Sequence, residues 1–378
     1  MKISALKTYL YSQANRGGLI VKIELEDGRY GLGEYGLSFQ ELAGAAALEH
    51  MRPELIGCDP FDTEAIWQRL ARRDFFPGDA VVVSAISAID IALWDLKGKI
   101  LGQPLWRLLG GKVRDTVPAY CWLGDDKTID AALASATRKV REGWRYVRFG
   151  VPDRDGVFDP SLAVKDTIDR VVAMRDAVGP AIGLCVDAHT RLDLPDSVRL
   201  ARALESHSLY FYEDPLRSES PEAYRRFRQQ TAIPIAAGEQ MATKWRFRTL
   251  IEEELIDYAR IDLCIVGGIT EARKIAGWAE AYHIKVVPHN PLGPISSAAC
   301  LHFGVSTENF VLQEAGNATD EFMRDVFPIR PAFPVANWPV PMAPGLGVGF
   351  NEQALAAYPY QDRSAPRFRR PDGSFTNW

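Results

Sequence analysis

The sequence has 378 residues, 47% of them hydrophobic, which is enough to bury the cores of one large domain and one smaller one. Its 44 basic and 49 acidic residues give a net charge of −5, so it lacks the basic surface that nucleic-acid binding requires. The first residues lack the apolar core of a signal peptide, and the most apolar helix is interrupted by Asp90, so we expect a soluble, cytoplasmic protein.

The five cysteines are odd in number and widely spaced along the chain. This spacing is typical of buried free thiols rather than of disulfides or a zinc site. We therefore expect the protein to work in a reducing compartment.

Residues 1–114 have the pattern of an α+β unit. Two β-like runs within residues 19–34 are joined by Asp27-Gly28, which is a strong hairpin signal. Helical patterns follow at 39–54, 60–73 and 80–101, and the two glycines of LLGG at 108–111 close the unit.

Residues 115–330 alternate short β-rich runs with helical stretches, which is typical of βα units around a parallel sheet. Eight such repeats fit a closed α/β barrel better than an open, doubly wound sheet. We expect the strands at 117–123, 146–151, 182–188, 209–213, 233–239, 258–265, 285–290 and 310–314.

The last segment, residues 331–378, is rich in proline and glycine. These residues exclude regular barrel helices. We expect the segment to pack back onto the first unit as a C-terminal tail.

Three acidic residues end neighbouring strands of the predicted barrel. Asp187, Glu213 and Glu239 end strands three, four and five, one βα unit apart, at the edge where barrel active sites lie. Three carboxylates repel one another in a small site unless a cation neutralises them. A set of oxygen ligands favours a hard ion, so the sequence predicts a Mg²⁺ site.

Two histidines close strands on opposite sides of the predicted barrel. His189 ends strand three beside Asp187, His289 ends strand seven, and Asp262 on strand six is placed to accept the His289 ring N–H. With a metal-bound carboxylate substrate, one histidine would remove the α-proton and the other would protonate a leaving β-hydroxyl. Without a leaving group, the pair could only exchange a proton between the two faces of the substrate.

Several motifs together resemble one known family. They are SAISAIDIALWDLKGKILGQPLWRLLGG, VDAH, YEDP, AAGEQ, GGITEARKIAGWAEAY, VPHNPLGP and LQE. They look like the enolase superfamily, in its mandelate racemase-like branch, and within it like the D-galactonate dehydratase-type acid-sugar dehydratases.

The resemblance implies an α+β capping domain over a modified (β/α)7β TIM barrel, and it implies roles for the residues above. Mg²⁺ would be held by Asp187, Glu213 and Glu239. His289 with Asp262 would be the base, in line with the His base and magnesium known for enolase-superfamily sites, and His189 the acid that expels the 3-hydroxyl. Glu239 and His189 would also contact the substrate.

The sequence departs from the family pattern on strand two. Racemases of this branch carry a Lys-x-Lys pair there, but this chain has Arg148 and Gly150, so that lysine base is missing. Arg148 would either bind the substrate or pair with a neighbouring barrel acid. Glu314 on strand eight resembles an acid near the substrate carboxylate in relatives, with a structural role as the alternative.

We therefore expect a Mg²⁺-dependent hydro-lyase that converts an aldonate such as galactonate, gluconate or mannonate to its 2-keto-3-deoxy acid through an enediolate. The alternatives are a racemase, epimerase or cycloisomerase on the same fold, or a catalytically idle barrel that serves as a binding protein. Substrate selection would depend on Asn15–Arg16, Tyr35–Gly36 and the loop at 152–159. A symmetric homo-oligomer is the default assembly.

Overall fold

The structure is a computed structural model that describes residues 1–124, 128–316 and 321–377. Its capping domain is built on an antiparallel sheet of three strands: β1 (Ile3–Gln13), β2 (Arg16–Leu25) and β3 (Tyr30–Glu34). The hairpin at Asp27-Gly28 joins β2 and β3 as predicted, and Gly28 supplies the positive φ of 83° that this turn needs.

The prediction of only two β-runs in this domain was incomplete, because β1 was missed. The segment ISALKTYLYSQ pairs antiparallel with β2 along its whole length and buries Ile3, Leu6 and Tyr11. Its burial does not alternate strictly, so the period of two was a weak signal here.

Helices cover one face of the capping sheet. The longest, a 22-residue helix with fourteen buried residues, starts at an aspartate N-cap and stops at Gly102 in a left-handed conformation. The helices of this part of the chain are α1 (Glu41–Leu55), α2 (Thr63–Ala71), α3 (Ala80–Leu101) and α4 (Leu105–Leu108).

The predicted barrel is confirmed. Its strands are β4 (Thr116–Trp122), β5 (Tyr146–Gly150), β6 (Gly183–Asp187), β7 (Phe211–Glu213), β8 (Ile235–Ala237), β9 (Tyr258–Ala259), β10 (Lys285–Val286) and β11 (Gln313–Glu314). Each pairs in parallel with its neighbour along the chain, and the ring closes where β11 pairs with β4 and Val286 bridges Phe310. Because seven helices connect eight strands, the fold is (β/α)7β.

The barrel helices form the outer layer of this domain and pack on the strands through their apolar faces. Two of them, α5 and α6, begin with side-chain caps from Thr128 and Asp159. The helices are α5 (Ile129–Arg141), α6 (Pro160–Val178), α7 (Leu194–Leu204), α8 (Ala223–Arg228), α9 (Lys244–Glu252), α10 (Gly268–Ala281) and α11 (Pro294–Ser306).

The sixth barrel strand is shorter than predicted. We expected it at 258–265, but β9 ends at Ala259, and Asp262 lies in the turn that follows. The Asp262 carboxylate accepts the backbone N–H of Cys264 at 2.7 Å and its carbonyl accepts the N–H of Ile265 at 3.1 Å, so the chain turns there. Asp262 is therefore a loop residue beyond the strand end.

Two buried carboxylates of the capping domain reach the N-termini of barrel helices. Glu34 at the end of β3 accepts the backbone N–H groups of Gly293 and Ser296 at the start of α11, each at 3.0 Å. Asp90 in α3 accepts the N–H of Thr270 at the start of α10 at 3.0 Å. Each carboxylate meets the positive end of a helix dipole, so both contacts hold the cap on the barrel.

The tail contacts both domains. A short strand, β12 (Asn337–Pro339), pairs antiparallel with β4 of the barrel. Farther along, the backbone N–H of Ser12 in the cap donates to the carbonyl of Tyr358 at 3.2 Å, and Lys22 pairs with Glu352 at 2.9 Å. The final residues return to the barrel, where the N–H of Phe158 donates to the carbonyl of Arg369 at 2.8 Å.

Among the helices of the described residues, none is both long and apolar enough to cross a membrane. All five cysteine side chains are free thiols, and four of them are buried.

Candidate active site

The strand ends bring the predicted acids to one mouth of the barrel. Asp187 and Glu213 are directly paired in the register of β6 and β7. Glu239 lies two residues past the end of β8, after Gly238, whose φ of 130° is open to glycine but strained for other residues. Asp187 and Glu213 therefore lie at the same level of the barrel, and Glu239 reaches in from the loop after β8. All three side chains are buried.

Two buried arginines pair with the acids at this mouth. Arg148 on β5 donates to Glu213 Oε2 at 2.8 Å and to Glu314 Oε1 at 2.7 Å. Arg260, just after β9, donates to Glu213 Oε1 at 2.6 Å and to Glu314 Oε2 at 2.7 Å. The four groups form a closed ring of ion pairs, in which both guanidinium groups bridge the two carboxylates.

This ring explains the electrostatics of two of the acids. Burial alone would raise the pKa of Glu213, but Arg148 and Arg260 outweigh it and lower the pKa. Burial would likewise raise the pKa of Glu314, but the charges of Arg148 and Arg260 outweigh this effect and lower the pKa. Both carboxylates are therefore charged in the folded protein.

The contacts of Arg148 and Glu314 match the structural alternative considered for each. Glu314 also accepts the backbone N–H of Asn290 at 3.0 Å, so its oxygens are occupied by protein donors. Both residues still line the cavity at the barrel mouth.

Sequence reasoning missed Arg260. It lies two residues before Asp262 in YARIDL, so an extended chain places both on one face, and a lone arginine inside an apolar run was the available signal. It also missed Asp214, which follows Glu213, is buried, and has an oxygen, Oδ2, without a hydrogen-bond partner among the described residues.

The other two predicted ligands, Asp187 and Glu239, are less well compensated by nearby positive charge. Burial, followed by repulsion from Glu213, raises the pKa of Asp187 to about 6. Burial and then the charges of Glu213 and Asp187 raise the pKa of Glu239 well above its usual range. Within the described part of the chain, Glu239 Oε2 is buried without a hydrogen-bond partner. This corner of the mouth is where a cation would be most stabilising.

The described residues do not hold a preformed metal cage, because no three His, Cys, Asp or Glu groups among them converge on one point. The Arg148 guanidinium lies between two of the predicted ligands, 2.8 Å from Glu213 and 3.4 Å from Asp187. A metal ion bound by all three acids would therefore require this side chain to shift.

His289 is held rigidly at the mouth. Its Nδ1 lies 2.7 Å from Asp262 Oδ2, and its Nε2 lies 3.6 Å from Glu239 Oε2. The peptide groups on either side are fixed as well, since Arg260 donates to the Pro288 carbonyl and Glu314 accepts the Asn290 N–H. The ring is thus oriented by a carboxylate on one nitrogen, and its other nitrogen points to the acids.

His189 approaches the same carboxylate from the opposite side of the barrel. Its Nε2 lies 3.8 Å from Glu239 Oε1. Its own backbone N–H donates to Asp187 Oδ1 at 2.7 Å, which joins the two residues of the D-x-H motif. Burial, and then the charges of Arg191 and Arg148, lower the pKa of His189 to about 3, so its imidazole is neutral in the metal-free protein.

A cavity of about 350 Å³ lies at the barrel mouth, and Asp187, His189 and Glu314 are among the residues that line it. Arg16 from the cap hairpin lines it, together with Pro152, Asp153 and Asp155 from the loop after β5. Tyr35 and Gly36, the other pair expected there, are not among the described lining residues. Tyr35 is buried, and a Cβ at Gly36 would lie 2.5 Å from Ile265, so this pair packs at the cap–barrel contact.

Comparison with known proteins agrees with this architecture over the whole chain. Residues 6–110 match the mandelate racemase/muconate lactonizing enzyme N-terminal domain, and residues 131–354 match the enolase C-terminal domain-like family. A D-galactonate dehydratase from Ralstonia nicotianae is 36% identical, with 100% of both chains covered.

Solved structures agree as well. An enolase from Pantoea ananatis with bound D-gluconate and Mg superposes with a TM-score of 0.93 at 32% identity, covering 99% of each chain. An enolase from Agrobacterium radiobacter, a proposed galactarate dehydratase with bound Na and L-malate, gives 0.91 at 28% identity, covering 100% of each chain. With both family domains matched in order and a relative aligned from end to end, this chain belongs to the enolase superfamily, in its mandelate racemase-like branch.

Proposed function

We propose that this protein is a Mg²⁺-dependent hydro-lyase that dehydrates an aldonate, such as galactonate, gluconate or mannonate, to the 2-keto-3-deoxy acid. One observation carries the proposal. Two imidazoles from opposite barrel strands face the two oxygens of Glu239, at 3.8 Å for His189 and 3.6 Å for His289. Proton removal on one face of a substrate and proton delivery on the other need such a pair.

The residues at the mouth fit a divalent cation. Asp187, Glu213 and Glu239 would hold it, and the unpartnered oxygen of Glu239 together with the raised pKa of Asp187 marks where positive charge is lacking. When bound, Mg²⁺ would stabilise the negative charge that develops on the substrate carboxylate as the α-proton leaves. The relative from Pantoea ananatis binds Mg with D-gluconate, which supports the same ion here.

The base in this scheme is His289. Asp262 accepts its Nδ1–H, which fixes the tautomer and leaves the Nε2 lone pair on the side of Glu239. His289 Nε2 would take the proton from C2 of the aldonate and give an enediolate. Asp262 is placed to stabilise the imidazolium that results.

The acid in this scheme is His189. It would deliver a proton to the 3-hydroxyl, so that the C3–O bond breaks, water leaves, and the enol product rearranges to the 2-keto-3-deoxy acid. Since burial keeps the imidazole neutral in the metal-free protein, the ring would have to take up a proton together with the anionic substrate and then pass it to the 3-hydroxyl as an imidazolium.

Arg148 does not replace the missing lysine base. Its guanidinium is charged at all working pH values and tied to two carboxylates, so it cannot remove a proton. It can still contribute positive potential toward a substrate carboxylate. A racemase or epimerase would have to use the two histidines alone, and the names of the relatives favour dehydration.

The proposal is tested with a panel of acid sugars and Mg²⁺, with 2-keto acid as the readout. The wild-type protein should convert at least one aldonate, a chelator should abolish the reaction, and added Mg²⁺ should restore it. His289→Asn serves as the matched inactive variant. A protein that binds aldonates but forms no keto acid with any of them would contradict the proposal and favour a binding protein.

We further place the protein in the cytoplasm, because its cysteines are all free thiols. We also expect a symmetric homo-oligomer. Sedimentation of the purified protein tests the assembly.

A further inference from the structure

The turn that carries His189 has an unusual backbone. His189 and Thr190 have φ values of 51° and 57°, in the left-handed region that non-glycine residues rarely adopt. Two such residues in a row persist only when the surrounding structure holds them. What holds this turn therefore also decides where the His189 imidazole points.

The inner side of the turn is held by the barrel. The N–H of Ala188 donates to the carbonyl of Glu213 at 2.9 Å, and the N–H of Thr190 donates to the carbonyl of Asp214 at 3.1 Å. These bonds continue the pairing of β6 with β7 by two residues. They do not reach the carbonyl of Thr190 or the side chain of Arg191.

The outer side is held by the end of the chain. Asn377 Nδ2 donates to the Thr190 carbonyl at 3.0 Å. The buried ring of Phe368 lies 4.7 Å from the Arg191 guanidinium, which in turn donates to the Val151 carbonyl at 2.7 Å. Residues from opposite ends of the segment 367–377, here named the terminal brace, thus contact two consecutive residues of the turn.

The terminal brace is itself anchored on a second active-site loop. The N–H of Phe158 donates to the Arg369 carbonyl at 2.8 Å, and the N–H of Arg369 donates to the Gly156 carbonyl at 2.9 Å. Arg370 also lies 3.3 Å from Asp193 at the start of α7. The brace therefore ties the loop after β5, which lines the cavity, to the turn after β6, which carries His189.

We propose that the terminal brace is a positioning element for His189, acting through Asn377 on Thr190 and through Phe368 on Arg191. The inference rests on the proposed function, because it assumes that His189 delivers the second proton. The terminal brace would therefore affect only the second half of the reaction, in which the 3-hydroxyl is protonated and leaves as water. His289, on the far side of the barrel, is held by other groups.

The two halves of the reaction can be separated in heavy water. Once His289 has removed the C2 proton, the enediolate either regains a proton at C2 or loses the 3-hydroxyl as water after protonation by His189. Return in heavy water leaves deuterium at C2 of the recovered substrate, and forward reaction gives keto acid. A misplaced His189 slows only the forward branch, so the ratio of deuterated substrate to keto acid rises.

The test compares Phe368→Ala and Asn377→Ala with wild type on D-galactonate and D-gluconate. The matched controls are Phe76→Ala, an exposed ring in the cap, and Asn351→Ala, whose amide also donates to a backbone carbonyl, that of Asp325, at 3.4 Å. We expect the brace variants to lose about tenfold or more in dehydration and to raise the exchange ratio by a similar factor. The controls should leave the ratio unchanged.

Equal loss of exchange and dehydration would overturn the proposal, because it would mean that the brace acts on stability or binding alone. Hydrogen–deuterium exchange of the peptide covering residues 188–193 gives a readout without substrate. It should become faster in the brace variants than in the controls, and unchanged exchange would overturn the bracing itself. If wild type dehydrates no aldonate while this peptide responds, the proposed function fails and the bracing stands.

Discussion

The two histidines that face Glu239 are held by very different parts of the molecule. His289 is fixed by groups within the barrel: Asp262 on its ring, Arg260 on the peptide before it and Glu314 on the peptide after it. His189 lies in a left-handed turn whose outer side is held by residues 368 and 377, at the far end of the chain. The His289 ring is therefore held by groups of the barrel itself, whereas the turn that carries His189 is held on its outer side by the terminal brace.

In the proposed mechanism, this difference separates the two proton transfers. A base must lie close to a C–H bond with little tolerance in angle, and a core of ion pairs supplies that rigidity. The acid has to meet a hydroxyl whose position varies with the sugar, and a turn held by surface segments can change without disturbing the core. The comparison predicts that the two sides respond separately to substitution.

The largest effect should come from the histidines themselves. His289→Asn should abolish both C2 exchange and dehydration, with losses of about 10²–10⁴-fold or more, because it removes the proposed base. His189→Asn should lose dehydration by a similar factor and keep C2 exchange. Deuterium incorporation by mass spectrometry measures the first and keto-acid formation the second, with His50→Asn as an exposed control. Loss of C2 exchange in His189→Asn would contradict the proposed division of roles between the two histidines.

A smaller loss is expected from the residue that orients the base. Asp262→Asn keeps the size of the side chain but removes the charge that supports the imidazolium, so kcat should fall about 10²–10³-fold with little change in KM. Exchange and dehydration should fall together. Asp169→Asn, which breaks a surface pair with Lys165, is the control. An increase of KM alone would assign Asp262 to substrate binding.

The cap contact behind His289 should have a severalfold effect on turnover. Glu34 accepts two N–H groups at the start of α11, five residues after His289, and an amide at this position cannot accept both. Glu34→Gln should lower the free energy of unfolding by about 1–3 kcal/mol and reduce exchange and dehydration in parallel. Chemical denaturation and kinetics are the measurements, with the surface variant Glu49→Gln for comparison. A change in the exchange ratio would place Glu34 on the His189 side instead.

The smallest effect on turnover is expected at Asp90, which caps α10 and lies away from both rings. Burial raises its pKa from 3.8 to about 7, so the folded state binds this proton more tightly than the unfolded chain does. Stability from this group is therefore full below about pH 4 and is lost as the pH rises toward 7, by up to about 4 kcal/mol.

The variant Asp90→Asn mimics the protonated acid and should remove that fall. Thermal unfolding between pH 4 and pH 8 measures the difference from wild type, with Asp169→Asn as the control. An identical pH dependence in wild type and Asp90→Asn would show that Asp90 keeps an ordinary pKa.

The placement of both histidines at the barrel mouth could be predicted from the sequence, but the contacts that hold His189 could not. Strand-end acids one repeat apart, and a histidine one repeat after an aspartate, follow from the βα period, so local patterns place Asp187, Glu213, Asp262 and His289 at one mouth. The hold on His189 depends on contacts across nearly 190 residues, between Thr190 and Asn377. A contact between residues so far apart leaves no periodic pattern in the local sequence from which it could be predicted.

The arginine ring shows a second limit of the sequence. Three clustered acids predict a cation, but Glu213 is already neutralised by Arg148 and Arg260, which lie far apart in the chain. Which acid pairs with which base depends on the closure of the ring. The argument for a metal ion therefore rests on Asp187 and Glu239, whose charges are less compensated.

The carboxylate of Glu34 has a consequence for redesign. Because Glu34 of β3 accepts N–H groups in the first turn of α11, a cap transplanted onto this barrel needs an acid at the same position to keep that contact. The neighbouring hairpin between β1 and β2 brings Arg16 to the cavity at its turn, while Ser12 and Lys22 on its strands contact the tail. Replacing the turn alone changes a residue at the cavity and keeps these contacts.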